Sequence, residues 1–228
     1  MFIDNLEKIR YRMTAAAARA NRDGGQISLV VVTKYAPLDK VREALHSGLV
    51  KEVGENRVQD AEKKRSELGE LAGKVRWRLI GHLQTNKAKK AVEVFDAVDS
   101  VDSVKVATAL NTAWTRDGKL PVLIQVKLTD RETQAGCNPG ELPGLIEAVR
   151  KLPNLELQGL MGIAPQDPEA ARPSFRTLKE LRDKHLPEGK LSMGMSGDFE
   201  VAIEEGSDMV RIGTQIFAPE SDINGGPA

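Results

Sequence analysis

Short apolar runs of β character alternate with amphipathic stretches along almost the whole chain. Residues 27–33, 50–53, 75–80, 95–99, 121–127, 155–160, 190–192 and 208–212 are rich in aliphatic residues and of strand length. Between them, 38–47, 56–71, 85–93, 102–117, 140–151, 168–184 and 197–205 repeat apolar residues at helical spacing. A further helix is expected over 2–22, with Leu6, Ile9, Met13, Ala16 and Ala17 on one face and Asp23-Gly24-Gly25 as its stop. Asp102 is placed to cap one helix, Pro168 sits at the first position of another, and Gly48 and Gly118 fall where helices should end.

Eight strands alternating with helices specify parallel βα units. The expected fold is α/β: a single closed (β/α)8 barrel of the TIM type with an extra N-terminal helix. An open doubly wound sheet is the alternative, but it usually needs fewer strands. The length of 228 residues fits a barrel of roughly 200–250 residues, so residues 1–228 are read as one domain. Residues 220–228 are expected to fray.

Composition narrows the function classes. Lys plus Arg and Asp plus Glu are 33 each, so the formal net charge is zero, and aromatics are only 4%. Neither a nucleic-acid surface nor a stacking platform for bases is expected. No apolar run approaches membrane-spanning length, and the start lacks the apolar core of a secretion signal, so a cytoplasmic protein is expected. Cys137 is the only cysteine, which excludes an intrachain disulfide. His46, His82 and His185 lie in separate segments without metal-ligand spacing.

In a barrel, function sits at the carboxyl ends of the strands. The first strand ends on Lys34, followed by Tyr35-Ala36-Pro37. A lysine amine held against apolar walls loses solvation, becomes neutral more easily and can attack an aldehyde. Tyr35, next in the chain, should point to the opposite side of the strand. The second strand runs into Gly54-Glu55-Asn56 and the third into Gly81-His82-Leu83-Gln84. Ser192-Met193-Gly194-Met195-Ser196-Gly197 and Arg211-Ile212-Gly213-Thr214 are small, glycine-spaced and hydroxyl-bearing, which suits a phosphate. A lysine amine and a phosphate cradle on one rim point to a phosphorylated aldehyde or ketone. Two chemistries fit: a phosphosugar aldolase without cofactor, with Glu55 as a proton shuttle, or pyridoxal 5′-phosphate (PLP).

These residues carry a resemblance. Val31-Val32-Thr33-Lys34, Gly54-Glu55-Asn56, Ile80-Gly81-His82-Leu83-Gln84-Thr85-Asn86-Lys87, Gly159-Leu160-Met161-Gly162, Ser192-Met193-Gly194-Met195-Ser196-Gly197-Asp198 and Val210-Arg211-Ile212-Gly213-Thr214 are similar to the motifs of the pyridoxal phosphate homeostasis protein family, also described as alanine-racemase N-terminal-domain-like. The resemblance runs from about residue 5 to residue 219. It implies a fold-type-III PLP barrel in which Lys34 forms the internal aldimine and Ser196, Gly213 and Thr214 hold the phosphate, helped by backbone near Met195. Asn56 and His82 would line the cofactor pocket, and Arg211 would face the pyridine nitrogen.

The chain departs from the family pattern at Lys127 and Gln134, where asparagine and lysine are commoner, and at Ala218. It is also expected to lack the β-rich C-terminal domain of alanine racemases, which supplies their second base from a tyrosine. The resemblance therefore implies a PLP-binding protein that serves intracellular vitamin B6 homeostasis and amino-acid balance, with PLP-dependent apoenzymes as partners and no turnover of its own. The alternative is a PLP enzyme acting on small amino acids, a slow racemase or lyase. No spare amphipathic stripe demands a dimer, so a monomer is expected.

Overall fold

Each short run of Val, Ile and Leu finds its backbone partners in the runs before and after it, and the eighth returns to the first. The computed structural model describes residues 2–129, 134–165 and 167–218. The strands are β1 (Ser28–Val32), β2 (Glu52–Glu55), β3 (Arg76–Leu79), β4 (Ala97–Val101), β5 (Leu120–Val126), β6 (Leu155–Gly162), β7 (Lys190–Ser192) and β8 (Met209–Ile212). They pair in chain order, all parallel, as a closed barrel. The seam joins β1 to β8 with Ser28 opposite Met209 and Val31 opposite Ile212.

The helices are α1 (Phe2–Arg19), α2 (Leu38–His46), α3 (Val58–Leu68), α4 (Ala88–Val94), α5 (Val104–Ala113), α6 (Leu142–Arg150), α7 (Pro168–His185), α8 (Phe199–Glu204) and α9 (Thr214–Phe217). Side chains alternate along each strand between the barrel interior and the helix layer. On β3, Trp77 and Leu79 join the apolar core shared with the helices, whereas the intervening Arg78 turns inward to carboxylates of β2 and β4.

The helix after β8 is only four residues long, and α1 occupies the surface that a full-length eighth helix would cover. It packs against α8, α9 and α2. Asn5, buried, donates from Nδ2 to the carbonyls of Ile216 and Ala218, both at 3.1 Å. Arg12 pairs with Glu200 at 2.6 Å and lies 4.6 Å over the Phe199 ring. The extra helix is therefore what fastens α9, and with it Thr214, to the barrel.

All eight strands and the helices between them lie where the hydrophobic pattern predicts, but several boundaries move for local reasons. α1 ends at Arg19 because Asn21 adopts a left-handed conformation (φ 54°) and Arg22 turns to the carbonyls of Ile203 and Ser207. Gly69, at φ 59°, ends α3 earlier than expected and a 3-10 stretch follows to Lys74. α5 stops at Ala113, where the Trp114 indole bonds the carbonyl of Gly118. Its cap is Ser103, whose hydroxyl accepts from the Val106 N–H, and not Asp102. Residues 220–228, expected to fray, lie outside the described residues, as do 130–133.

Asn5→Ala leaves the buried Ile216 carbonyl and the partly buried Ala218 carbonyl without their donor. It is expected to lower the unfolding free energy by about 1–3 kcal/mol, measured by urea denaturation; wild-type stability would show that α1 does not secure α9.

Candidate functional site

The strand ends open on a cavity of about 740 Å³ at the carboxyl rim, within the roughly 300–1,000 Å³ of small-molecule sites. Lys34, Asn56, Met195, Ser196, Arg211, Gly213 and Thr214 all line it. Apolar walls come from Ile80 on one side and from Ile163, Ala164 and Phe217 on another.

Lys34 stands in a turn just past β1 and is exposed, where the sequence leads one to expect an amine held against apolar walls. Tyr35 is also in that turn and not in the strand. Strand alternation no longer governs it, and it lines the same cavity, with the Lys34 Nζ 5.0 Å from its ring centre. Asn56 is placed by a close backbone approach. A Cβ at Gly81 would come within 2.2 Å of the Asn56 carbonyl oxygen, so only glycine lets the two loops touch.

Arg211 forms the floor. It is buried, and donates to the Ser192 hydroxyl at 2.8 Å and to the Gly162 carbonyl at 2.9 Å. Burial brings its guanidinium down to about 10, opposed by the charges of Asp99 and Asp198. The two small loops meet opposite Lys34. Gly213 is needed where the chain passes β1: a Cβ there would lie 2.6 Å from the Val32 carbonyl oxygen. Gly197, by contrast, faces open space, with nothing within 4 Å of the point a methyl group would occupy.

Two expected contacts differ. The Met195 N–H is already donated, at 2.6 Å, to Asp198 Oδ1. Ser196 and Thr214 remain as the hydroxyl-bearing residues of the two small loops that line the cavity. Burial raises the Asp198 carboxyl, while the Met195 amide and Arg211 hold it down. His82 is not among the cavity-lining residues. Its ring is exposed and its Nδ1 lies 3.1 Å from Asp102 Oδ2.

Glu55 does not reach the cavity either. It is fully buried on the helix side of the wall, where it accepts from the Thr33 hydroxyl at 2.6 Å and pairs with Lys64 at 2.5 Å. A proton-shuttling role for Glu55 beside Lys34, which the aldolase reading requires, has no geometric support. Gln134 bonds the Thr129 backbone and hydroxyl and the Ile163 carbonyl, bracing the cavity wall from behind.

Sequence reasoning missed the charged interior beneath the floor. Arg78 donates from two nitrogens to Asp99 at 2.7–3.1 Å and from a third to Glu52 at 3.1 Å. The available signal was a charge at an inward position of an otherwise apolar strand, in Trp77-Arg78-Leu79 and Val98-Asp99.

The sequence profile described as alanine racemase, N-terminal domain, matches residues 5–220. A pyridoxal phosphate homeostasis protein of Pseudomonas aeruginosa is 41% identical over 220 residues, covering 94% of each chain. The chain belongs to the pyridoxal phosphate homeostasis protein family. Another member, from Aquifex aeolicus, is 40% identical over 94% of this chain and 96% of its own. Among solved structures, PipY of Synechococcus elongatus with PLP bound superposes with a TM-score of 0.78 at 31% identity, covering 96% of this chain and 100% of PipY. An alanine racemase of Clostridium difficile shares the fold, with a TM-score of 0.70 at 16% identity; the chain spans 58% of its length.

For this family member, two glycines of the site separate packing from openness. Gly81→Ala should cost about 1–3 kcal/mol of stability, because the methyl meets backbone. Gly197→Ala should keep wild-type stability or gain up to about 1 kcal/mol. Parallel urea titrations check both; equal losses would contradict the geometry.

Proposed function

We propose that the chain binds PLP in this rim cavity and serves PLP homeostasis by holding the cofactor reversibly on Lys34. One observation carries the reading. A lysine amine, a buried arginine and two small hydroxyl-bearing loops surround a single cavity of suitable size. The names of its relatives and the PLP-bound PipY structure support it.

The residues present fit the group. Lys34, in the turn after β1, supplies the amine for the aldehyde carbon. Ser196 and Thr214 supply hydroxyls to the phosphate, and Gly197 leaves room for it. Asn56 borders the ring site from the β2 end. Arg211 faces the ring nitrogen. A guanidinium has no acceptor, and two of its donors are already committed to Ser192 and Gly162, so it holds its position and keeps the ring nitrogen unprotonated. When bound, PLP supplies an aldehyde that exchanges between amines and a ring that withdraws electrons. An unprotonated ring nitrogen weakens that withdrawal, which favours holding and exchange over chemistry at an amino acid.

Delivery to the lysine of a PLP-dependent apoenzyme is the use we propose for this exchange. Among the described residues no helix is long and apolar enough to cross a membrane, which agrees with a partner pool of such enzymes inside the cell.

One observation favours the second reading, a slow PLP enzyme on small amino acids. Tyr35 lines the cavity beside Lys34 and offers a hydroxyl as a proton donor.

The purified protein loaded with PLP should be yellow, borohydride should fix the cofactor covalently, and Lys34→Ala should abolish that fixation. A protein that stays colourless with added PLP would overturn the reading. Incubation with L-alanine in D2O separates the two uses. A carrier leaves the α-hydrogen in place, whereas an enzyme exchanges it, and Tyr35→Phe should then slow the exchange at least about tenfold.

A further inference from the structure

The Lys34 amine stands at the end of a long, exposed stem. Among the described residues no hydrogen bond or ion pair holds it, and its near neighbour is the Tyr35 ring, whose centre lies 5.0 Å from Nζ. A free lysine side chain samples many rotamers. Order in the amine must therefore come from the backbone that carries it.

That backbone is a turn. The Ala36 N–H donates to the Thr33 carbonyl at 3.0 Å, which puts Lys34 and Tyr35 at the two central positions of a β-turn. The first residue of the turn, Thr33, is buried and is held at every polar group. Its N–H donates to the Gly54 carbonyl at 3.1 Å, which carries the pairing of β1 with β2 one residue past the strand. Its hydroxyl donates to Glu55 Oε1 at 2.6 Å. Its carbonyl accepts a second bond, from the Lys64 ammonium on α3. Lys64 also pairs with the same Glu55 oxygen at 2.5 Å. Thr33, Glu55 and Lys64 thus close a ring of three hydrogen bonds.

None of these three lines the cavity, whereas Lys34, Tyr35, Ala36 and Asn56 do. Thr33 and Glu55 each directly precede a cavity residue, Lys34 and Asn56, so the ring sets those two relative to each other. It is a poor device for stability. Glu55 is 0% exposed, and its Oε2 has no hydrogen-bond partner among the described residues. A buried oxygen without a donor is costly, and a buried ion pair is a weak source of stability beside apolar residues. What the ring supplies is placement.

We infer that Glu55 and Lys64 are positioning residues for Lys34. By locking Thr33 they fix the turn, and with it the origin of the amine at the cavity. An amine displaced from PLP then stays poised to take it back, because a held reactant acts at high effective concentration. This role in retention rests on the PLP reading proposed above.

The test has one readout without PLP and one with it. In the PLP-free protein, Lys64→Met should speed hydrogen exchange of the Ala36 amide at least about tenfold while the amides of Val122 and Ile124 on β5 keep their wild-type rates. If Lys64→Met does not fold, Lys64→Met with Glu55→Leu removes both buried charges together, which folds more readily, and should give the same pattern.

With PLP, equilibrium dialysis reads the affinity. The Lys64 variant should bind at least about tenfold more weakly than wild type, whereas the same change made on top of Lys34→Ala should alter affinity little, because the ring acts through Lys34. An equal loss in both backgrounds would overturn the positioning role and leave the ring as a structural support of the whole rim. Wild-type exchange at Ala36 in a folded variant would overturn the inference outright. Failure of PLP to bind the wild type would overturn the proposed function and the role in retention, and exchange at Ala36 would still decide whether the ring holds the turn.

Discussion

Closure of the sheet between β1 and β8 is the constraint on which the rim depends. A closed sheet has no unpaired edge, and its return to the first strand sets the last loops beside the first. β7 and β8 share only the Ser192–Met209 register pair within their strands. Backbone bonds extend that pairing past the strand ends, from Met193 N to Met209 O and from Arg211 N to Gly194 O. These bonds draw the Met195–Asp198 loop alongside Gly213 and Thr214, and the absence of a side chain at Gly213 lets that edge press against the Val32 carbonyl. Lys34 then stands across a single cavity from the small loops.

Alternation of strand-like and helical runs made the barrel legible, because most strand positions are buried and most β runs are rich in aliphatic residues. The rim was legible for a related reason. Glycines, hydroxyls and a lysine gather where strands end, and parallel strands place all those ends together. What escaped were questions of facing. Tyr35 was assigned by strand alternation, but the strand stops at Val32. Glu55 follows Gly54 directly, and one residue decides whether a carboxylate meets the cavity or α3. Arg78 and Asp99 look in sequence like charges at the margins of apolar runs. Only the register of β2, β3 and β4 shows that they meet inside. The reach of Asp198 back to the Met195 amide depends on loop geometry that no periodicity encodes.

The alanine racemases share this barrel at about one residue in six, so the shape is preserved by many different interior fillings. Here the filling is partly ionic. Apolar residues such as Val30, Leu123, Met161 and Met209 share the interior with Glu52, Arg78, Asp99 and Arg211. A buried ion pair is a weak source of stability compared with well-packed apolar residues. Its presence under a ligand cavity marks a place where electrostatics has been preferred over packing, while the main stabilisation comes from the layer between strands and helices.

The seam has a consequence for the order of events as the chain is made. In chain order Lys34 comes well before Ser196, Arg211 and Thr214, and α1 packs on α8 and α9, which follow it at the other end of the barrel. A ring closed between the first and last strands gathers its contacts from the greatest sequence separations, which slows folding relative to locally connected folds. A chain made only as far as β7 holds the amine but neither of the small loops. The cavity is therefore complete only once β8 has been made and the barrel has closed.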